Sequence, residues 1–128
     1  DLYTQIIGED QDAFLPTKRF YQLGLGYSFL NNPNPNKLSI EYLDTASHGR
    51  KSGNSKNVTY NHSIYQTGYR YKNDPIGTSI DGDASKISLS YYTFLNKNDF
   101  LNLSLSKTDL NKNFDIRKSI YTLNINYN

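Results

Sequence analysis

The sequence predicts an all-β fold, an antiparallel up-and-down meander of about six strands that forms the C-terminal portion of a transmembrane β-barrel. Three observations predict it. Apolar and polar residues alternate with a period of two over long stretches, and no helical period competes. Several stretches run roughly 9–11 residues, the length of a membrane-crossing strand, against about 5–6 in soluble sheets. The connections between them alternate long and short, as in barrels with short turns at one rim and long loops at the other.

The first strand is expected over 2–7, within "LYTQII". The second, over 20–29, sets Tyr21, Leu23, Leu25, Tyr27 and Phe29 against Gln22, Gly24, Gly26 and Ser28. The third is expected over 37–46 and the fourth over 86–95, where Ile87, Leu89 and Tyr91 oppose Ser88 and Ser90. The fifth, 99–107, alternates Leu101, Leu103 and Leu105 with Asn102, Ser104 and Ser106. The sixth, 117–127, alternates Tyr121, Leu123, Ile125 and Tyr127 with Thr122, Asn124 and Asn126. Glu41 and Asp44 are the charged exceptions in strand interiors whose polar side is otherwise Ser, Asn and Gly.

The connections place loops at about 8–19, 47–85 and 108–116 on one side, expected to be extracellular, and the short turns "NNPNPN" and "NKN" on the other. Tyr27, Phe29 and Tyr127 should form an outward aromatic girdle at the short-turn rim. Phe94 and Phe100 lie at the same rim but alternate to the opposite face, so a bulge or terminal twist would be needed to turn them out. Six strands are fewer than the roughly eight that close a membrane barrel, and open edges have no place in hydrocarbon. The remainder of the barrel is therefore expected upstream, and outer-membrane lipid around it.

Composition narrows the function. The 128 residues carry a net charge of +2, which makes no electrostatic case for nucleic acid. Twelve tyrosines and six phenylalanines oppose disorder, and the absence of cysteine excludes disulfides and thiolate chemistry. Glu9 and Asp10 form an acidic pair that could serve glycoside hydrolysis or hydrogen-bond sugar hydroxyls. Asp81-Gly82-Asp83 lacks the Asn or Asp, the Gly and the Glu that an EF-hand loop requires next. It reads as a turn, or as two carboxylates of a looser cation site; no cofactor is expected. The more suggestive set is His62, Tyr65, Tyr69, Arg70 and Tyr71, with Tyr60 beside them. Tyrosine offers a ring face and a hydroxyl to a sugar, and arginine forks onto carboxylates such as those of acidic sugars. The same residues also suit a loop packed on the barrel mouth.

The most specific segments, Gly8-Glu9-Asp10, the Tyr60–His62–Tyr65–Gly68–Tyr69 series, and Pro75-Ile76-Gly77 with Gly82-Asp83, resemble the capsule assembly protein Wzi family. The resemblance runs from the N-terminus to about Ser85 and departs in a chain end, "NYN", without a clear terminal aromatic. It implies a large barrel of the Gram-negative outer membrane with a periplasmic helical portion upstream. It also implies a non-enzymatic role, in which loops facing the cell exterior bind capsular or exopolysaccharide and help assemble capsule. It transfers no binding residues, so Glu9, Asp10, His62, Tyr65, Tyr69, Arg70, Tyr71, Asp81 and Asp83 stand as candidates on physical grounds. A passive pore, a glycoside hydrolase using Glu9 or Asp10, and a soluble sheet are the alternatives.

Overall fold

Period-two patterning produces a single six-stranded antiparallel sheet. A computed structural model of the chain describes residues 1–12, 15–31, 34–49, 56, 58–61, 64 and 68–128, leaving aside the side chains of 9–12, 15–17, 31, 48 and 49. The elements are β1 (Leu2–Asp12), β2 (Leu15–Asn31), β3 (Asn34–Gly49), β4 (Arg70–Tyr71), β5 (Asp74–Pro75), β6 (Ser85–Phe94), β7 (Phe100–Leu110) and β8 (Lys118–Tyr127). The large sheet has the order β1-β2-β3-β6-β7-β8, each strand beside its chain neighbour, and β4-β5 form a separate hairpin. No helix occurs among the described residues.

Directly paired residues in antiparallel strands share a face, so the registers sort the sheet into two surfaces. One row runs Leu2, Leu25, Ile40, Leu89, Leu105, Leu123. The next row runs Tyr3, Gly24, Glu41, Ser88, Ser106, Thr122 on the opposite face. The apolar row is uncovered, its members between 42% and 74% exposed. A continuous leucine and isoleucine surface of this extent is what a bilayer-facing wall presents. Tyr27 and Phe29 stack on this apolar face with centroids 5.6 Å apart, and Tyr127 is exposed on it as well.

The polar face is furnished differently along its length. At Gly24 a Cβ would stand 2.0 Å from the Tyr3 ring, so glycine alone lets Tyr3 lie across β2 and donate its hydroxyl to Glu41. Gln22 Nε2 also donates to Glu41, at 3.4 Å, which accounts for a charge inside a strand. Phe94 and Phe100 pair with each other in an unbroken register, so they are not turned outward. They stay on the polar face and cluster with Tyr92, at 5.2 and 5.4 Å from its ring.

The segment 8–19, expected as a loop, is mostly ladder: Gly8 pairs with Arg19, Glu9 with Lys18, Gln11 with Pro16 and Asp12 with Leu15. Pro16 is tolerated there because the described β2–β3 ladder begins only at Lys18, so its missing N–H interrupts no second neighbour. β2 and β3 accordingly extend to 17 and 16 residues, beyond what a bilayer crossing requires.

Candidate functional site

The chain between β3 and β6 is held to the polar face of the sheet. Its anchor is a bulge. Between the pairs Arg19–His48 and Tyr21–Asp44, β3 carries Thr45, Ala46 and Ser47 opposite Phe20 alone. All three are buried. The Thr45 hydroxyl donates to the carbonyl of Asp81 and accepts from the amide of Ala84 at 3.2 Å. Its amide donates to the Ala84 carbonyl at 2.8 Å, and its own carbonyl accepts from the Thr59 hydroxyl. One residue thereby ties both ends of the segment to the wall. Leu43, Ile80 and Ala84 form the apolar core beneath it, with Leu110 packed alongside.

The connection after β7 closes the other side. Lys112 Nζ lies 2.7 Å from Asp44 Oδ2, its amide donates to the Asp83 carbonyl at 2.8 Å, and Asn113 Nδ2 donates to Asp83 Oδ1 at 2.8 Å. This explains the second strand-interior charge: Asp44 is a buried anchor that also accepts from the Tyr42 hydroxyl and the Ala46 amide.

Arg70 sits on the β4–β5 hairpin, whose turn residues Lys72 and Asn73 have φ of 49° and 74°, the left-handed pair that a two-residue hairpin requires. Its guanidinium forks onto Asp81, Nη1 to Oδ2 at 3.0 Å and Nη2 to Oδ1 at 2.6 Å. It also reaches the Asn73 carbonyl and Asn61 Oδ1. The Arg70 hydrogen bonds hold the Asp81 carboxyl below its ordinary range. The expected fork onto an acidic sugar is therefore already filled from within the chain. Asp81 and Asp83, a possible cation pair by sequence, are directed to Arg70 and Asn113 instead. No group of three metal-ligating side chains occurs among the described residues.

Of the other candidates, Tyr69 and Tyr71 are exposed at 77% and 68%, with Lys72 Nζ 5.4 Å from the Tyr71 ring centroid. Tyr60 is half-buried with φ of 64°, and its carbonyl accepts the Tyr69 amide at 3.2 Å. Gly68 is needed for that contact, because a Cβ there would lie 2.1 Å from the Tyr60 oxygen. Glu9 and Asp10 fall on β1, with side chains that are not described; His62 and Tyr65 lie outside the described residues.

Between the segment and the wall is a cavity of about 750 Å³. Gln5, Ile7, Phe20 and Gln22 line it from β1 and β2, and Tyr60, Asn61, Tyr69, Ile76 and Thr78 from the segment. The size is that of pockets for drug-sized ligands, roughly 300–1,000 Å³. Sequence reasoning missed the wall residues. The signal was present, since Ile7, Phe20, Leu43 and Leu110 break the polar alternation at the end of the sheet where the segment packs.

The family model for the capsule assembly protein Wzi matches residues 1–126. The chain belongs to the Wzi family. The fold agrees. A solved Wzi structure from Escherichia coli, described as a carbohydrate-binding β-barrel of the outer membrane involved in group 1 capsule assembly, superposes with a TM-score of 0.72. Identity is 22%, and the match covers 98% of this chain and 34% of that one. The chain thus spans about a third of the length of that structure. No curated protein matches the chain.

Proposed function

We propose that this chain is part of an outer-membrane barrel that binds capsular polysaccharide without cleaving it. Its apolar face would meet lipid, and the segment between β3 and β6 would lie over the lumen and face the cell exterior. The observation that carries this is the segment itself: clamped to the polar face at Thr45, it leaves Tyr69 and Tyr71 exposed, with Tyr69 lining a cavity. Exposed tyrosines beside a concave, hydroxyl- and amide-lined surface suit sugar rings, and many weak contacts along one polymer sum through effective concentration. The relative described as a carbohydrate-binding barrel supports the reading.

Two observations argue against the alternatives. A segment folded over the polar wall narrows any pore. Glycosidases need two carboxyl groups about 5–10 Å apart across a substrate, whereas among the described residues that line the cavity the one acidic residue, Asp44, is engaged by Lys112.

The test is polymer retention on cells producing the full-length protein with Tyr69→Ala and Tyr71→Ala together. A sugar packs its C–H faces on tyrosine rings, so a loss of roughly tenfold in retained polymer is expected. Unchanged retention with normal barrel insertion removes these tyrosines from the function.

A further inference from the structure

We propose that the cavity between the β3–β6 segment and the β1–β2 wall is a subsite for an uncharged sugar unit of the polymer. The inference rests on the carbohydrate reading above and names the site and the ligand chemistry within it.

The floor of the cavity is built from two facing pairs. Gln5 opposes Gln22, and two residues along the same face Ile7 opposes Phe20. An amide pair beside an apolar pair presents hydrogen-bonding groups next to a flat greasy surface. A pyranose has the matching halves, with hydroxyls at its rim and C–H bonds on its faces. Gln22 directs its Nε2 to Glu41, which leaves its carbonyl oxygen as an acceptor, and Gln5 is exposed. Across the gap, Tyr69 and Ile76 supply a second ring-and-apolar wall, joined through the Ile76 amide to the Tyr69 carbonyl at 3.1 Å. The site could therefore sandwich a ring while its edge is read by amides.

Charge decides the class of sugar. Among the described residues, no lysine, arginine or histidine lines the cavity, and the nearby Arg70 fork is closed on Asp81. A uronic acid entering would lose water without gaining a counter-charge from them. A neutral hexose avoids that penalty.

The probe is capsular polysaccharide purified from the cells that make this protein, used as such and after chemical reduction of its carboxyl groups to primary alcohols. Binding to the full-length protein in detergent is measured by calorimetry. The wild type is expected to bind both polymers with Kd values within about threefold of each other, while Gln5→Trp, which fills the floor, weakens both by about tenfold or more. Gln5→Leu, which keeps the volume and removes the amide, should weaken both as well. Heat-modifiable migration and β-sheet circular dichroism check that each variant is folded. If the folded variants bind like the wild type, the cavity is not the subsite, although the function stands. Binding that disappears on carboxyl reduction overturns the neutral class. If the wild type binds neither polymer, the carbohydrate reading falls and this inference with it.

Discussion

Arg70 and Asp81 show how a residue's role depends on a partner that the sequence does not identify. By type, Arg70 in a tyrosine-rich loop is a good anchor for an acidic ligand. The two-residue turn at Lys72 and Asn73 instead brings the chain back so that Asp81 meets the guanidinium through two hydrogen bonds. Nothing in the spacing of 70 and 81 reveals this, because the approach depends on the hairpin and on the Thr45 anchor together. The pair orders the hairpin that carries Tyr69 and Tyr71. Asp81 is about half exposed, so screening limits its contribution to at most ~1 kcal/mol. Its folded pKa is depressed, so the stabilisation is present above the unfolded value of about 3.9 and is lost as pH falls through the lower folded value. A carboxyl-carbon NMR titration of the full-length protein should give Asp81 a midpoint below the ordinary range. Arg70→Gln should raise that midpoint toward the ordinary range. An unmoved midpoint would mean that Arg70 is not the cause.

At the scale of elements, one hydroxyl joins the long segment to the wall. Thr45→Val keeps the shape and leaves the Asp81 carbonyl and the Ala84 amide without their hydroxyl partner, at a cost of about 1–3 kcal/mol. The expected result is faster amide exchange over 68–84, with the β6–β7 ladder protected as before. Equal loosening of both would show that the segment and the sheet unfold as one unit. The strands were legible in the sequence because alternation reports directly which side of a sheet a residue occupies. Their ends were less so. Gly8, Pro16 and a cluster of charges resemble a loop, yet 8–12 and 15–19 pair because a hairpin tip beyond a bilayer needs no apolar face. Phe94 and Phe100 follow the alternation that reads them inward; the expectation of a girdle, not the pattern, misplaced their role. The cavity was the least legible feature. Its floor residues are unremarkable in the strands that contain them, and become a site only when a segment far along the chain, Tyr60 to Thr78, folds over them.

For the whole molecule, the proposed membrane location requires the two faces of one strand to respond in opposite ways to charge. Leu89 sits in the middle of the exposed apolar row, between Ile40 and Leu105, while the adjacent Ser90 points to the polar face between Ser39 and Ser104. An arginine facing lipid near the bilayer midplane costs about 2–4 kcal/mol, whereas lumen-facing changes alter selectivity more than stability. Leu89→Arg in the full-length protein, unfolded by guanidinium from lipid vesicles, should therefore lose about 2–4 kcal/mol. Ser90→Arg should lose much less. The contrast separates a barrel from a soluble sheet, because in water an arginine on an exposed face is stabilising or neutral. Equal, small effects at 89 and 90 would place both faces in water and overturn the membrane reading. A large loss at 90 with none at 89 would reverse the assignment of the faces, and would move the β3–β6 segment from the lumen to the lipid side, where its polar backbone could not remain.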